Sequence, residues 1–250
     1  MAKEFYDDLA ESYHLIFQDW EASIRYQADV LARLLPPPGL DVPILDCACG
    51  IGTQAIGLAL KGYRIEGRDS SPTSIGRASR EAATRGLTAN FRIDDMRNLA
   101  TAALGSYGAV IAMDNAIPHL QSDADILAAL SCMRARLRTN GVLLASLRDY
   151  GPLLAERPTG TPASFYRDGT FRRIVHQVWD WMDDRRYVVH LFITWERSDG
   201  WETRHFVGTY RAVTPNEIAQ FASQVGFEDA RVLGPVETGY YQPIVRAVAP

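Results

Sequence analysis

From Ile44 to Asp149 the chain alternates short apolar runs with amphipathic stretches, and this alternation limits the fold more than any other feature. "ILDCA", "YRIEGRD", "ANFRID", "YGAVIAMD" and "GVLLASLRD" read as five strands. Between them lie "TQAIGLALKG", "SPTSIGRASREAATRG" and "SDADILAALSCMRARLRTNG". Their caps read as Ser71 with Pro72 at the first helical position, and Gly62 and Gly86 at the ends. Strands that alternate with helices build a doubly wound α/β sheet with right-handed crossovers.

The flanks differ in texture. "EFYDDLAESYHLIFQDWEASIRYQADVLARLL" carries apolar residues at helical spacing and predicts two helices broken near Gln18–Asp19, followed by the linker Pro36–Pro43. After Tyr150, "GPLLAERPTGTPASFYRDGT" reads as a Pro/Gly-rich loop. "FRRIVHQVWDW", "RYVVHLFITWE" and "WETRHFVGTYRAV" then read as three antiparallel strands. The helix "TPNEIAQFASQVG" and the strands "FEDARVLG" and "PIVRAVA" close the chain and place an antiparallel strand last. The division expected is 1–42 for an N-terminal helical lid, 43–149 for a ligand-binding core, 150–213 for a β-rich insertion and 214–250 for the end of the core sheet.

Composition removes several functions. The 250 residues carry a net charge of -4, with no excess of Lys and Arg to neutralise phosphates, which argues against general nucleic-acid binding. No apolar run approaches the ~20 residues of a membrane span, and acidic residues in the first turns do not fit a signal peptide. Cys47, Cys49 and Cys132 form no disulfide framework, so a reducing cytoplasm is the expected setting. His176, His190 and His205 lack metal-ligand spacing, and no metal is expected.

In an open α/β sheet, ligands sit beyond the carboxyl ends of the strands. Asp46 ends the first strand, and "CACGIGTQA" follows with Gly50 and Gly52 but no third glycine. An acid inside the loop repels a pyrophosphate and suits a cationic or amine-bearing ligand. Asp69 ends the second strand, where a carboxylate accepts hydrogen bonds from a ribose diol. Asp94 and Asp95 end the third, followed by Met96, a pair suited to an adenine amino group and ring.

With these motifs in line, the sequence resembles the class I S-adenosylmethionine-dependent methyltransferases. "ILDCACGIGT" resembles their first motif, "GRDSS" their ribose-binding acid, "IDDM" their adenine site and "YGAVIAMDNAIPHL" their fourth strand. The A-C-G-x-G loop, "DNAIPHL" and "SLRDY" are closest to the small-molecule, glycine N-methyltransferase-like branch, which has alanine where Ala48 stands. The resemblance implies a Rossmann-like seven-stranded sheet. It also implies S-adenosylmethionine as cofactor, with Tyr13, Asp46, Ala48, Gly50, Gly52, Asp69, Ser70, Asp95, Met96, Met113 and Asp114 around it. Tyr13 belongs to an aromatic lid segment with Tyr6 and Trp20.

On the acceptor side, Asn115 is expected to orient an amine or hydroxyl. His119 is either a proton acceptor or a structural residue behind Pro118. Arg148 either holds a substrate carboxylate or pairs structurally with an acid such as Asp149. The aromatic-rich insertion favours a flat acceptor such as an indole, phenol or aromatic amine. Tyr240–Pro243 is read as a loop that contacts a mate in a homodimer. The expected activity is methyl transfer to a small molecule in secondary metabolism, with no nucleic-acid or membrane partner. The competing readings are an NAD-type dehydrogenase and a catalytically silent S-adenosylmethionine-binding protein.

Overall fold

A computed structural model of the chain describes residues 2–38 and 42–250. The part of the expected linker at 39–41 lies outside the described residues.

Helix α1 (Ala2–Leu9), a short 3-10 turn at Tyr13–Ile16 and α2 (Trp20–Leu34) form the N-terminal segment, with Asp19 capping α2 through the Ala22 N–H. The core follows as β1 (Ile44–Asp46), α3 (Thr53–Leu60), β2 (Ile65–Asp69), α4 (Pro72–Thr84), β3 (Asn90–Ile93), β4 (Tyr107–Ala112), α5 (Asp123–Arg136) and β5 (Leu137–Ser146). After α6 (Tyr150–Glu156) come β6 (Ser164–Asp168), β7 (Phe171–Trp181), β8 (Arg186–Arg197) and β9 (Gly200–Arg211). The chain ends with α7 (Pro215–Gln224), β10 (Glu228–Leu233), α8 (Pro235–Thr238) and β11 (Ile244–Val248).

Seven strands form one sheet in the order β10-β11-β5-β4-β1-β2-β3. Neighbours are parallel except at β11, which runs antiparallel to both β10 and β5. β1 pairs in parallel with β2 on one side and β4 on the other, so the strand order reverses there. The register sets Asp46 beside Gly67 and Ile111. The carboxyl ends of β1, β2 and β4 therefore open into one crevice, the place where such folds bind ligands.

The expected sheet and its antiparallel last strand are found, and three local expectations are corrected. Tyr150–Glu156 is a helix rather than loop, because Asp149 caps it through Gly151 N–H and Pro152 occupies its first turn. The insertion has four strands, since Ser164–Asp168 pairs with Phe171–Val175 across a tight turn. Leu137–Asn140 is strand, not the end of α5: the helix stops at Arg136 and Leu137 already sits opposite Tyr107. Among the described residues, no helix is long and apolar enough to cross a membrane.

The second sheet presents alternate residues Tyr187, Val189, Leu191 and Ile193 to a core shared with Leu45, Val110, Leu143 and α1. Phe5 of α1 stacks on Gly208 of β9, where a Cβ would come 3.0 Å from the ring. α2 lies on α3 at closer range still, since a Cβ on Gly57 would stand 2.5 Å from the Ile24 carbonyl oxygen. Gly57→Val should therefore cost about 1–3 kcal/mol through overpacking. Urea denaturation tests this, and an unchanged midpoint would mean that α2 does not depend on this contact.

Candidate active site

The crevice continues into a cavity of about 510 Å³, a size typical of small-molecule sites. Its floor is the turn after β1. Asp46 is fully buried; one carboxylate oxygen accepts the Ala48 N–H at 3.3 Å and the other has no partner. Burial pushes its pKa up to about 8. Gly52, at φ 95°, turns the chain into α3, a conformation that favours glycine. The Gly50 N–H donates to Asp69 at 2.9 Å, and the other Asp69 oxygen accepts the Ser71 N–H at 2.9 Å. These bonds tie the glycine turn to the end of β2. Burial raises the Asp69 pKa against those hydrogen bonds.

The cysteines of this turn serve packing. Cys47 and Cys49 are buried in the two main core clusters, and burial drives both thiols well above their ordinary range.

One wall comes from the segment after β3. Asp94 is occupied by loop bonds: one oxygen accepts both the Thr101 N–H and its hydroxyl at 2.7 Å. Asp95 lines the cavity with Met96, but its carboxylate is clamped by Arg97, which also pairs with Asp125. Ser70, Ala48 and Met113 complete this region, Met113 being buried beneath it.

The opposite wall comes from the segment after β4. Asp114 and Asn115 both adopt left-handed backbone, at φ 55° and 68°. Asp114 faces the cavity and accepts from Gln54 Nε2 at 2.7 Å, from the Tyr240 hydroxyl at 2.5 Å and from the Tyr241 hydroxyl. Gln54 also donates to Gln27 Oε1 at 2.6 Å, and the Tyr240 hydroxyl, whose one proton goes to Asp114, lies 2.7 Å from the same oxygen. Burial raises the Asp114 pKa in spite of these donors.

The structure separates the three acceptor-side expectations. His119 lines the cavity, as do Tyr6 and Tyr13 of the N-terminal segment. Its Nε2 lies 2.9 Å from the Tyr6 hydroxyl and its ring is 4.1 Å from that of Tyr210. Asn115 and Arg148 stand behind the cavity wall. Asn115 donates to the Tyr150 hydroxyl at 3.0 Å and accepts the Arg148 N–H at 3.1 Å. The Arg148 guanidinium donates to the Tyr187 hydroxyl at 2.9 Å and to Gln177 Oε1 at 3.1 Å. It sits 4.9 Å over Trp179 and 5.4 Å over Tyr210, a cation among aromatic faces. Among the described residues no carboxylate pairs with Arg148, so the alternative of a structural pair with an acid such as Asp149 is not found.

Burial also pushes the His119 pKa down to about 3, so this imidazole is neutral across the physiological range. The unfolded chain then binds one proton more than the folded chain between pH 3 and about 6.5. Stability attributable to His119 is full above that window and is lost as the pH falls through it. His119→Gln should flatten the pH dependence of unfolding there by about 1.4 kcal/mol per pH unit. Parallel wild-type and variant curves would contradict the neutral assignment.

Sequence reading missed Gln27, Gln54, Tyr240 and Tyr241 around Asp114. They arrive from α2, α3 and the segment before β11, and no local pattern links them.

Residues 44–141 match the methyltransferase domain family. The glycine/sarcosine N-methyltransferase of Parasynechococcus marenigrum is 32% identical over 61% of this chain and 53% of its own length. The ubiquinone biosynthesis O-methyltransferase of Methylocella silvestris is 32% identical over 46% of this chain and 43% of its own. The chain thus spans about half the length of each. Among solved structures, the S-adenosylmethionine-bound amino pentose methyltransferase of Micromonospora echinaspora superposes with a TM-score of 0.74, at 20% identity, over 96% of this chain and 95% of that one.

Proposed function

From the match of residues 44–141 to the methyltransferase domain family, we propose that this chain is a class I S-adenosylmethionine-dependent methyltransferase that transfers a methyl group to a small-molecule acceptor. The observation that carries the reading is the Gly50–Asp69 hydrogen bond, which joins a glycine turn and a ribose-type acid at the rim of one cavity. The residues present fit the cofactor. Asp69 would hold the ribose, Met96 would pack on the adenine with Asp95 at its edge, and the turn Ala48–Gly52 would pass under the methionine portion. The unpartnered, buried oxygen of Asp46 is a polar group that an ammonium, directly or through water, would satisfy.

S-adenosylmethionine, when bound, supplies a methyl group on sulfonium sulfur that an acceptor lone pair displaces in line. The protein's own part is to align the acceptor and keep water out. Tyr6, Tyr13 and His119 close the cavity from above, with the neutral His119 holding Tyr6 as a hydrogen-bond partner. Arg148, behind that wall and without an acidic partner among the described residues, would pair with a substrate carboxylate that reaches past Tyr210. For a carboxylate-bearing acceptor, Arg148→Leu should raise KM about tenfold or more with a smaller change in kcat; an unchanged KM removes that role.

The relatives named for N- and O-methylation make nitrogen and oxygen acceptors the first to test, and the likeness to an amino pentose enzyme of calicheamicin biosynthesis favours a place in secondary metabolism. The test is incubation with S-adenosylmethionine and a panel of amines, amino acids, amino sugars, indoles and phenols, read by mass spectrometry. A product heavier by one methylene supports the proposal. Binding of NADH in place of S-adenosylhomocysteine would support the dehydrogenase reading instead.

A further inference from the structure

We propose that Asp114 recognises the methyl acceptor and that the acceptor presents a protonated amine to it. This rests on the methyl-transfer reading above and adds to it the acceptor's chemical class.

Asp114 stands at the carboxyl end of β4 and borders the cavity. Its backbone and that of Asn115 are both left-handed, an arrangement that costs L-residues energy and persists only where the surroundings enforce it. What it secures is the aim of the carboxylate. Gln54, Tyr240 and Tyr241 hold it, and Gln27 accepts from Gln54 in turn. An ionised carboxylate offers about four acceptor directions. Three are taken by protein donors, which leaves one for a ligand.

All three donors are neutral. Among the described residues no Lys, Arg or His pairs with Asp114, so its charge stays uncompensated in a part-buried setting. A phenol or an alcohol satisfies the free direction but leaves the charge in place. An ammonium satisfies both. The tyrosines around the cavity, with Tyr13 lining it and Tyr241 on Asp114 itself, add aromatic faces that favour a cation. The ammonium of the cofactor has its own candidate in Asp46, whose second oxygen lacks any partner.

The same contact performs the proton transfer the reaction needs. An ammonium has no lone pair to attack with. One N–H proton passes to the free Asp114 oxygen; the N–H bond breaks, an O–H bond forms, and the electron pair stays on nitrogen. That pair then makes the new C–N bond while the C–S pair leaves with sulfur, and the methylated nitrogen carries the positive charge away.

Calorimetric titration of the S-adenosylhomocysteine complex tests this with four matched pairs: benzylamine and benzyl alcohol, tryptamine and tryptophol, glucosamine and glucose, glycine and glycolate. At least one amine should bind about tenfold tighter than its hydroxyl partner, or more. Asp114→Asn keeps the shape and tolerates the left-handed backbone. It should reduce that preference to about threefold or less, with S-adenosylhomocysteine affinity changed by less than about threefold. Hydroxyl partners that bind as well as every amine in the wild-type protein overturn the proposal, as does an amine preference that survives in Asp114→Asn. A large loss of S-adenosylhomocysteine affinity in the variant overturns it too, by assigning Asp114 to the cofactor. A wild-type protein that binds no S-adenosylhomocysteine defeats the methyl-transfer reading itself, which separates the two failures.

Discussion

Asp69→Ala should weaken S-adenosylhomocysteine binding by about 100-fold or more, because a carboxylate that accepts two ribose hydroxyls contributes about 1.5–3 kcal/mol per hydrogen bond. The same substitution removes the acceptor for Gly50 and Ser71 N–H, so the glycine turn after β1 loses its tether. The folded protein should tolerate the loss far better than the ligand does. Asp69 is a part-buried carboxylate held by neutral donors alone, and burial opposes its charge. Binding should thus fall while the melting temperature without ligand changes little. Equal affinities for wild type and variant would remove the ribose role, and a collapsed fold would make Asp69 a structural residue.

Arg68→Met should have the largest effect on stability, about 3 kcal/mol. Arg68 is fully buried one residue before Asp69. Its Nε donates to Thr101 Oγ1 at 2.7 Å, one terminal nitrogen to the carbonyls of Gly67 and Asn90, and the other to Glu66 and the Thr101 carbonyl. Methionine fills much of the volume but satisfies none of these acceptors. Since Thr101 also holds Asp94, the cavity wall at Asp95 and Met96 should loosen along with the fold. Chemical denaturation measures the first effect and S-adenosylhomocysteine titration the second. A variant as stable as the wild type would contradict the role assigned to this guanidinium.

The parts of the site that were legible in sequence are those made by single strand ends. Asp46, the Gly50–Gly52 turn and Asp69 follow from local grammar: an apolar run, an acid, then glycine or a helix cap. Strand pairing then brings them together without further information, because β1 and β2 are neighbours in parallel register. Asp95 was legible as a residue on the cavity and not as a partner of Arg97, since that pair depends on the path of the loop after β3.

What sequence could not supply came from elements distant in the chain. The wall around Asp114 is closed by Gln27 and Gln54 from two helices and by Tyr240 and Tyr241 from far along the chain. Asn115 and Arg148 were readable as polar residues near the site. Their orientation was decided by Tyr150 and Tyr187, the second of which belongs to the inserted sheet. The helix α6 was hidden by Gly151 and Pro152, which sit in its first turn, where proline is tolerated. β6 was hidden because Phe165 and Arg167 face outward, so no buried alternation marks it.

Equilibrium dialysis of the wild-type protein against labelled S-adenosylmethionine tests cofactor binding itself. One molecule should bind per chain at micromolar or tighter affinity, displaced by S-adenosylhomocysteine and not by NADH. No retained S-adenosylmethionine, or full displacement by NADH, would contradict it.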